Sequence, residues 1–141
     1  MRPLPSARTK KDAKKTVDDG VFGDRRCLEI DSPIETVILV PEDFDHALRK
    51  FDAHREVIAN AAVRTIVRPN EVWLQEIKGG QNQIHYIKAF KRKRSGTVVV
   101  CAFLENQDGS NLVTFYEMWE DRRGVDYVNG IRKGMLLHEE V

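Results

Sequence analysis

The chain has 141 residues, 41% of them hydrophobic, and a formal net charge of +1. That length and apolar content suit one domain built around a single core. The near-zero charge excludes a general polycation, so any nucleic-acid affinity has to come from local clustering, and no apolar stretch is long enough to cross a bilayer.

Residues 1–20 carry Pro, Ser, Lys and Asp without an apolar period and read as a flexible basic arm. The opening MRPLPSARTKKDAKK has positive charge but no apolar segment behind it, unlike a secretory signal. Residues 21–141 read as one domain. Cys27 and Cys101 lie far apart and match no metal or redox spacing. Cys101 sits in an apolar run and reads as a buried free thiol, which suits a reducing compartment.

RCLEID and ETVILV are each short enough for a strand, and Ser32 and Pro33 separate them. The segment from Pro41 to Pro69 predicts one long helix over about 42–67. Pro41 with Glu42, Asp43 and Asp45 suits a helix start. Phe44, Leu48, Phe51, Ile58, Ala62 and Ile66 fall on one stripe at helical spacing. With Phe44 at zero, His46 falls near about 200° and faces solvent, while His54 falls near about 280°, at the border of the stripe. Past Pro69 the period changes. NEVWLQEI, QIHYIKAF, GTVVVCAFL and NLVTFYEM read as strands separated by turn sequences. VDYVNGIRKGMLL closes the chain as a short helix or turn and a last extended piece.

The pattern therefore predicts an α+β domain in which one long helix covers an antiparallel meander of about four strands. Alternation puts Tyr86 with Lys88 on one face of their strand, and Thr114 with Tyr116 on one face of theirs. One sheet face is expected to be apolar and helix-covered. The other is expected to be open and to carry Tyr86, Lys88, Thr114 and Tyr116.

The ordered set PNEVW, HYIKAF, VVVCAFL, LVTFYEM and YVNGIRKGMLL, preceded by a helix bearing two histidines, resembles the phage-associated branch of the Barnase–EndoU–colicin–RelE-like nucleases. The resemblance spans roughly residues 36–138. It implies a helical N-terminal part, a curved four-stranded sheet, and a metal-independent ribonuclease, often a toxin. On that reading residues 21–141 are a single nuclease-like domain with no cofactor. The partners are RNA, tRNA among the candidates, and an immunity or antitoxin protein, with no membrane. The expected location is the cytoplasm, its own or that of a target cell.

The same reading sets the candidate residues. His54 is either a proton-transfer group, its ordinary pKa of about 6.5 suiting chemistry near neutrality, or a boundary residue that bonds locally. Thr114 and Tyr116 are good strand formers, which the resemblance turns into orienting groups. Lys88 supplies phosphate-neutralising charge or is simply solvated. The resemblance places an arginine in the closing NGIRKG, here Arg132, where flanking glycines allow close backbone approach. Arg68 ranks lower, as a helix-end residue. Trp73 and Trp119 read as packing. The unusually basic turn Lys91, Arg92, Lys93 and Arg94 is either a phosphate-attracting rim or a solubilising hairpin tip. The rival readings are a non-catalytic RNA-binding or protein-interaction module on the same fold, and a structural phage protein whose basic arm grips nucleic acid.

Overall fold

The computed structural model describes residues 3–45, 47–49, 55–77, 81–92, 96–107, 110–119 and 121–140. Helix α1 (Lys10–Val17) opens on a Thr9 cap whose hydroxyl accepts from the Asp12 N–H. It runs into a π-helical turn, Asp18–Phe22. Ala13, Val17, Val21 and Phe22 are buried, so the second half of the segment expected as a flexible arm is packed structure. Composition hid this, because α1 has a lysine-rich outer face and buries only two small residues, Ala13 and Val17. Lys14 ties α1 to the following elements, bonding the Pro41 carbonyl and pairing with Asp45 at 2.7 Å.

Strands β1 (Leu28–Asp31) and β2 (Thr36–Leu39) form a small antiparallel hairpin across the Ser32–Pro33 break. The expected helix over 42–67 is not continuous. Among the described residues of this segment a 3-10 turn spans Pro41–Phe44, Asp45, Ala47 and Leu48 lie in turns, a further 3-10 turn spans Arg55–Ile58, and Ala59–Val67 forms the α-helix, α2. At the start, the Asp43 carboxylate turns back to accept from the Val40 N–H at 2.7 Å. That contact, from the third residue of the turn back to the residue before it, is of the capping-box kind and marks a helical start, although the turn stays 3-10 and ends at Phe44. Of the apolar stripe, Phe44, Leu48, Ile58, Ala62 and Ile66 are buried, and Phe51 lies outside the described residues.

The main sheet holds β3 (Glu71–Ile77), β4 (Gln81–Arg92), β5 (Gly96–Gln107), β6 (Ser110–Trp119) and β7 (Met135–Glu139) in the order β6-β5-β4-β3-β7, all antiparallel. Helix α3 (Arg122–Ile131) joins β6 to β7. The α+β class therefore holds, with helical segments packed on antiparallel strands. The fifth strand comes from the closing extended piece. Gly134 allows its entry: its φ is +91°, and a Cβ there would lie 2.1 Å from the Leu74 carbonyl oxygen.

Both sheet faces are covered. One carries Val72, Tyr86, Ala102, Leu104 and Phe115, buried beneath α2, the 3-10 turns and the small hairpin. Phe44 sits edge-on to both Phe22 and Phe115. Tyr86 is 0% exposed and shares a hydrogen bond with the Ser32 hydroxyl at 3.1 Å. The other face carries Ile87, Cys101 and Phe103, with Val128 and Ile131 of α3 laid over them. The open face expected from the sequence is thus partly roofed. Register also splits the expected quartet: Tyr86 aligns with Ala102 and Phe115, whereas Tyr116 aligns with Cys101 and Ile87. Tyr86 and Lys88 lie on one face, Thr114 and Tyr116 on the other.

Candidate functional site at the β6 edge

Strand β6 is an outer strand of the sheet, and its second half borders a cleft of about 410 Å³ lined by Arg55, Val57, Ile58, Tyr116, Glu117, Met118 and Trp119. Tyr116 is held edge-on to Phe103 at 5.6 Å and to Tyr127 of α3 at 6.2 Å. The Arg55 guanidinium lies over the Tyr116 ring, 4.4 Å from its centroid. The Nη1 of Arg55 also donates to the Ala47 carbonyl at 3.4 Å. Burial, with smaller contributions from Tyr116 and Cys101, pushes the Tyr127 hydroxyl up to about 12, against a downward pull from Arg55. At neutral pH Tyr127 is therefore a protonated hydroxyl, a donor and not a base.

Thr114 stands one alternation from Tyr116 on the same face and pairs with Phe103, which pairs in turn with His85. These two expected site residues are brought together. Lys88 is not with them. On the opposite face, its Nζ donates to the Arg68 carbonyl at 2.6 Å, closing the last turn of α2. Arg68 thus provides the carbonyl that a lysine caps. Arg132 ends α3 at the β3 side, where its Nε donates to Glu71 Oε1 at 2.8 Å. That same oxygen accepts from the Trp73 indole at 2.8 Å. Glu71 and Tyr116 sit three strands apart in one register row, about 14 Å at the usual strand spacing.

His54, Lys93 and Arg94 lie outside the described residues, as does His46. Arg92 ends β4 and Lys91 beside it is exposed. Register puts this end of the β4–β5 hairpin beside the cleft: Phe90 pairs with Val98, and Val98 with Trp119. Trp119 is 45% exposed, which sets it apart from Trp73, half-buried and bonded to Glu71. Two further exposed cations, Arg122 and Arg123, open α3 immediately after β6. Basic residues in the first turn oppose the helix dipole, so they are placed there at a local cost.

The sequence reading passed over three residues. Arg55 follows His54 in the chain, and Tyr127 lies in the closing motif. His85 shares its strand face with Ile87, a parity visible in QIHYIKAF. It is 3% exposed, stacked at 4.3 Å on Phe103, with Nδ1 3.4 Å from the Ile131 carbonyl and Nε2 2.6 Å from Gln83 Oε1. Burial lowers its pKa, partly offset by the Ile131 carbonyl. A neutral ring has one N–H: Nδ1–H donates to the Ile131 carbonyl, and Nε2 then accepts from the Gln83 amide with its interchangeable O and N swapped, so His85 is a core histidine and not a free base. Cys101 is buried as expected, and burial pushes its thiol up to about 12, which makes it inert. Among the described residues no group of three His, Cys, Asp or Glu is placed to hold a metal ion, and no helix is long and apolar enough to cross a membrane.

Helical segments packed against an antiparallel sheet are consistent with the α+β fold of the Barnase–EndoU–colicin–RelE-like nucleases. The chain matches the family described as phage-Barnase-EndoU-ColicinE5/D-RelE like nuclease2 over residues 11–139, and it belongs to that family. No curated protein and no solved structure matches it.

Proposed function

We propose that the protein is an endoribonuclease that cleaves by metal-independent transphosphorylation, as a toxin-type or phage-linked effector acting on RNA in a cytoplasm and restrained by an immunity or antitoxin partner. The observation that carries this reading is Arg55, held over Tyr116 in a cleft at the sheet edge. A guanidinium fixed before substrate arrives can stabilise charge developing on phosphate oxygens without reorganising. Further cations stand at the same end of the sheet, Lys91 on β4 and Arg122 and Arg123 on α3. They supply the sequence-independent attraction of a polyanion. Exposed Trp119 offers a face on which an unpaired base can stack.

In the proposed reaction a base removes the ribose 2′-OH proton. The 2′ oxygen bonds to the adjacent phosphorus, and the 5′ oxygen of the next nucleotide leaves with a proton from an acid. His54, the sequence neighbour of Arg55, is proposed as the proton-transfer group, and Arg55 as the phosphate clamp. Tyr116 and Thr114 orient the phosphate or the attacking hydroxyl. Lys88 and Arg132, turned to the Arg68 carbonyl and to Glu71, take no part in it.

The test is incubation of the purified protein with RNA plus a chelator. Cleavage should persist and leave 2′,3′-cyclic or 3′-phosphate ends. Arg55→Ala or Tyr116→Phe should lower kcat by about 10²–10³, the range for losing one preorganised donor. His54→Ala should cost about 10²–10⁴. Cleavage only with a divalent ion, leaving 3′-hydroxyls, would overturn the mechanism. The separation of Lys88 and Arg132 from Tyr116 also fits a docking module, which needs no convergence. RNA binding without cleavage under any condition would establish that reading instead.

A further inference from the structure

Arg55 belongs to a 3-10 turn of four residues, Arg55–Ile58. A turn that short fixes few of its own dihedrals, so its orientation has to be imposed from outside. Two hydrogen bonds tie the turn to the N-terminal segment. The Leu4 N–H donates to the Val57 carbonyl at 3.1 Å, and the Ala7 N–H donates to Glu56 Oε1 at 3.2 Å. Leu4 packs against the main core. Glu56 is 1% exposed, and a carboxylate so buried has to be met by donors. Behind the strap, Thr9 caps α1, and α1 is anchored by buried Ala13 and Val17.

We propose that residues 3–8 are a strap that holds the Arg55 turn in its site-competent orientation, and that Glu56 is the positioning residue through which it acts. The proposal rests on the reading of Arg55 as the phosphate clamp. The strap lies ahead of the segment 11–139 that matches the family. Its logic is electrostatic. If the Ala7 donor is withdrawn, the buried Glu56 carboxylate loses a contact that ties it to the N-terminal segment, and its side chain can turn about its remaining contacts. Arg55 is the adjacent residue and must turn with it, off the Tyr116 ring. The strap therefore couples the state of the N-terminal segment to the readiness of the site.

Two variants break the latch from its two sides. Ala7→Pro removes the N–H donor, and Glu56→Ala removes the acceptor. Glu56→Gln keeps an acceptor oxygen and serves as the conservative rescue. The direct readout is the Arg55 Nε–H resonance, which the Tyr116 ring current displaces in the wild type. In Ala7→Pro and in Glu56→Ala it should move to the position seen in Tyr116→Leu, and in Glu56→Gln it should stay near wild type. On RNA, kcat should fall by about tenfold to a hundredfold, as expected for displacing a reacting group by about an ångström, with KM changed less than kcat. The double variant should be no worse than the worse single one, because both break one link. An Arg55 resonance unmoved in Ala7→Pro, or losses that add in the double variant, would overturn the strap. The resonance decides this even if the protein cuts no RNA, an outcome that would sink the ribonuclease reading alone.

Discussion

At the scale of single residues, His85 shows how burial sets chemistry. Its imidazole is enclosed between Phe103, Gln83 and the Ile131 carbonyl. Desolvation disfavours the charged ring and lowers its pKa from the ordinary 6.5. Between the lowered folded value and 6.5 the unfolded chain binds the proton better. Stability from this group is fully present above 6.5 and is lost as pH falls through the folded value. Denaturant unfolding followed from pH 8 down to pH 5 should show stability declining with acid. The His85 ring resonances should titrate with a midpoint below 6.5, and a midpoint at or above that value would contradict the enclosed, neutral ring. Alternation made the parity of His85 readable, but its burial was not, because it depends on α3 lying over that face. Arg55 was hidden differently. Its significance is a contact with Tyr116, sixty-one positions away in the chain, and no local pattern reports such a contact.

At the scale of elements, helix α3 is the piece the sequence understated, and its glycines test how it is seated. Asp121 caps it by accepting from the Gly124 N–H at 2.8 Å. This draws Gly124 so close to the end of β6 that a Cβ there would lie 1.9 Å from the Trp119 carbonyl oxygen. Gly124→Ala should therefore destabilise by at least about 1–3 kcal/mol, the usual cost of overpacking against something that cannot yield. Gly130, on the same helix, has nothing within 4 Å of an added Cβ. Gly130→Ala should stabilise by up to about 1 kcal/mol through helix propensity alone. Unfolding midpoints of the two variants should move in opposite directions, and a shared direction would contradict this seating of α3. Elsewhere the strands from β3 to β6 were legible because each carries period-2 alternation between turn residues. What alternation cannot give is the parity between strands. The register of each hairpin turn sets it, and a one-residue difference moves a whole strand's side chains to the other face. Alternation accordingly pairs Tyr86 with Lys88 within β4 and Thr114 with Tyr116 within β6, while register puts Lys88 and Tyr116, expected on one face, on opposite faces. Of the helix expected over 42–67, the described stripe residues are buried, but the segment is divided into 3-10 turns and α2, because a stripe at helical spacing reports which side chains go inward and not whether the backbone between them is continuous.

At the scale of the whole molecule, charge is arranged and not merely summed. The net charge of +1 gives almost no long-range attraction for a polyanion. The sheet register nevertheless brings the Lys91–Arg92 end of β4, the Trp119 end of β6 and the start of α3 to one end of the domain, beside the cleft that holds Arg55. Lys14, by contrast, is spent internally on Asp18 and Asp45, and Arg132 on Glu71. If the turn steers RNA toward the cleft, replacing Lys91, Arg92, Lys93 and Arg94 with Ser should weaken binding at low salt and flatten its salt dependence. For a single strand the slope of log K against log salt changes by about 0.7 for each phosphate no longer neutralised, so four lost contacts would remove up to about 3 from it. Turnover at saturating RNA should change little, because the turn residues would raise encounter and residence without touching the reacting atoms. Arg55→Ala should show the opposite pattern, with a large loss of turnover and a slope changed by no more than about one contact's worth. The measurement is a salt titration of binding to a 2′-O-methyl RNA strand, which cannot be cut, paired with cleavage of the natural strand at saturation. An unchanged slope in the fourfold variant would reduce the basic turn to a solubilising hairpin tip and leave the attraction to Arg122, Arg123 and Arg55.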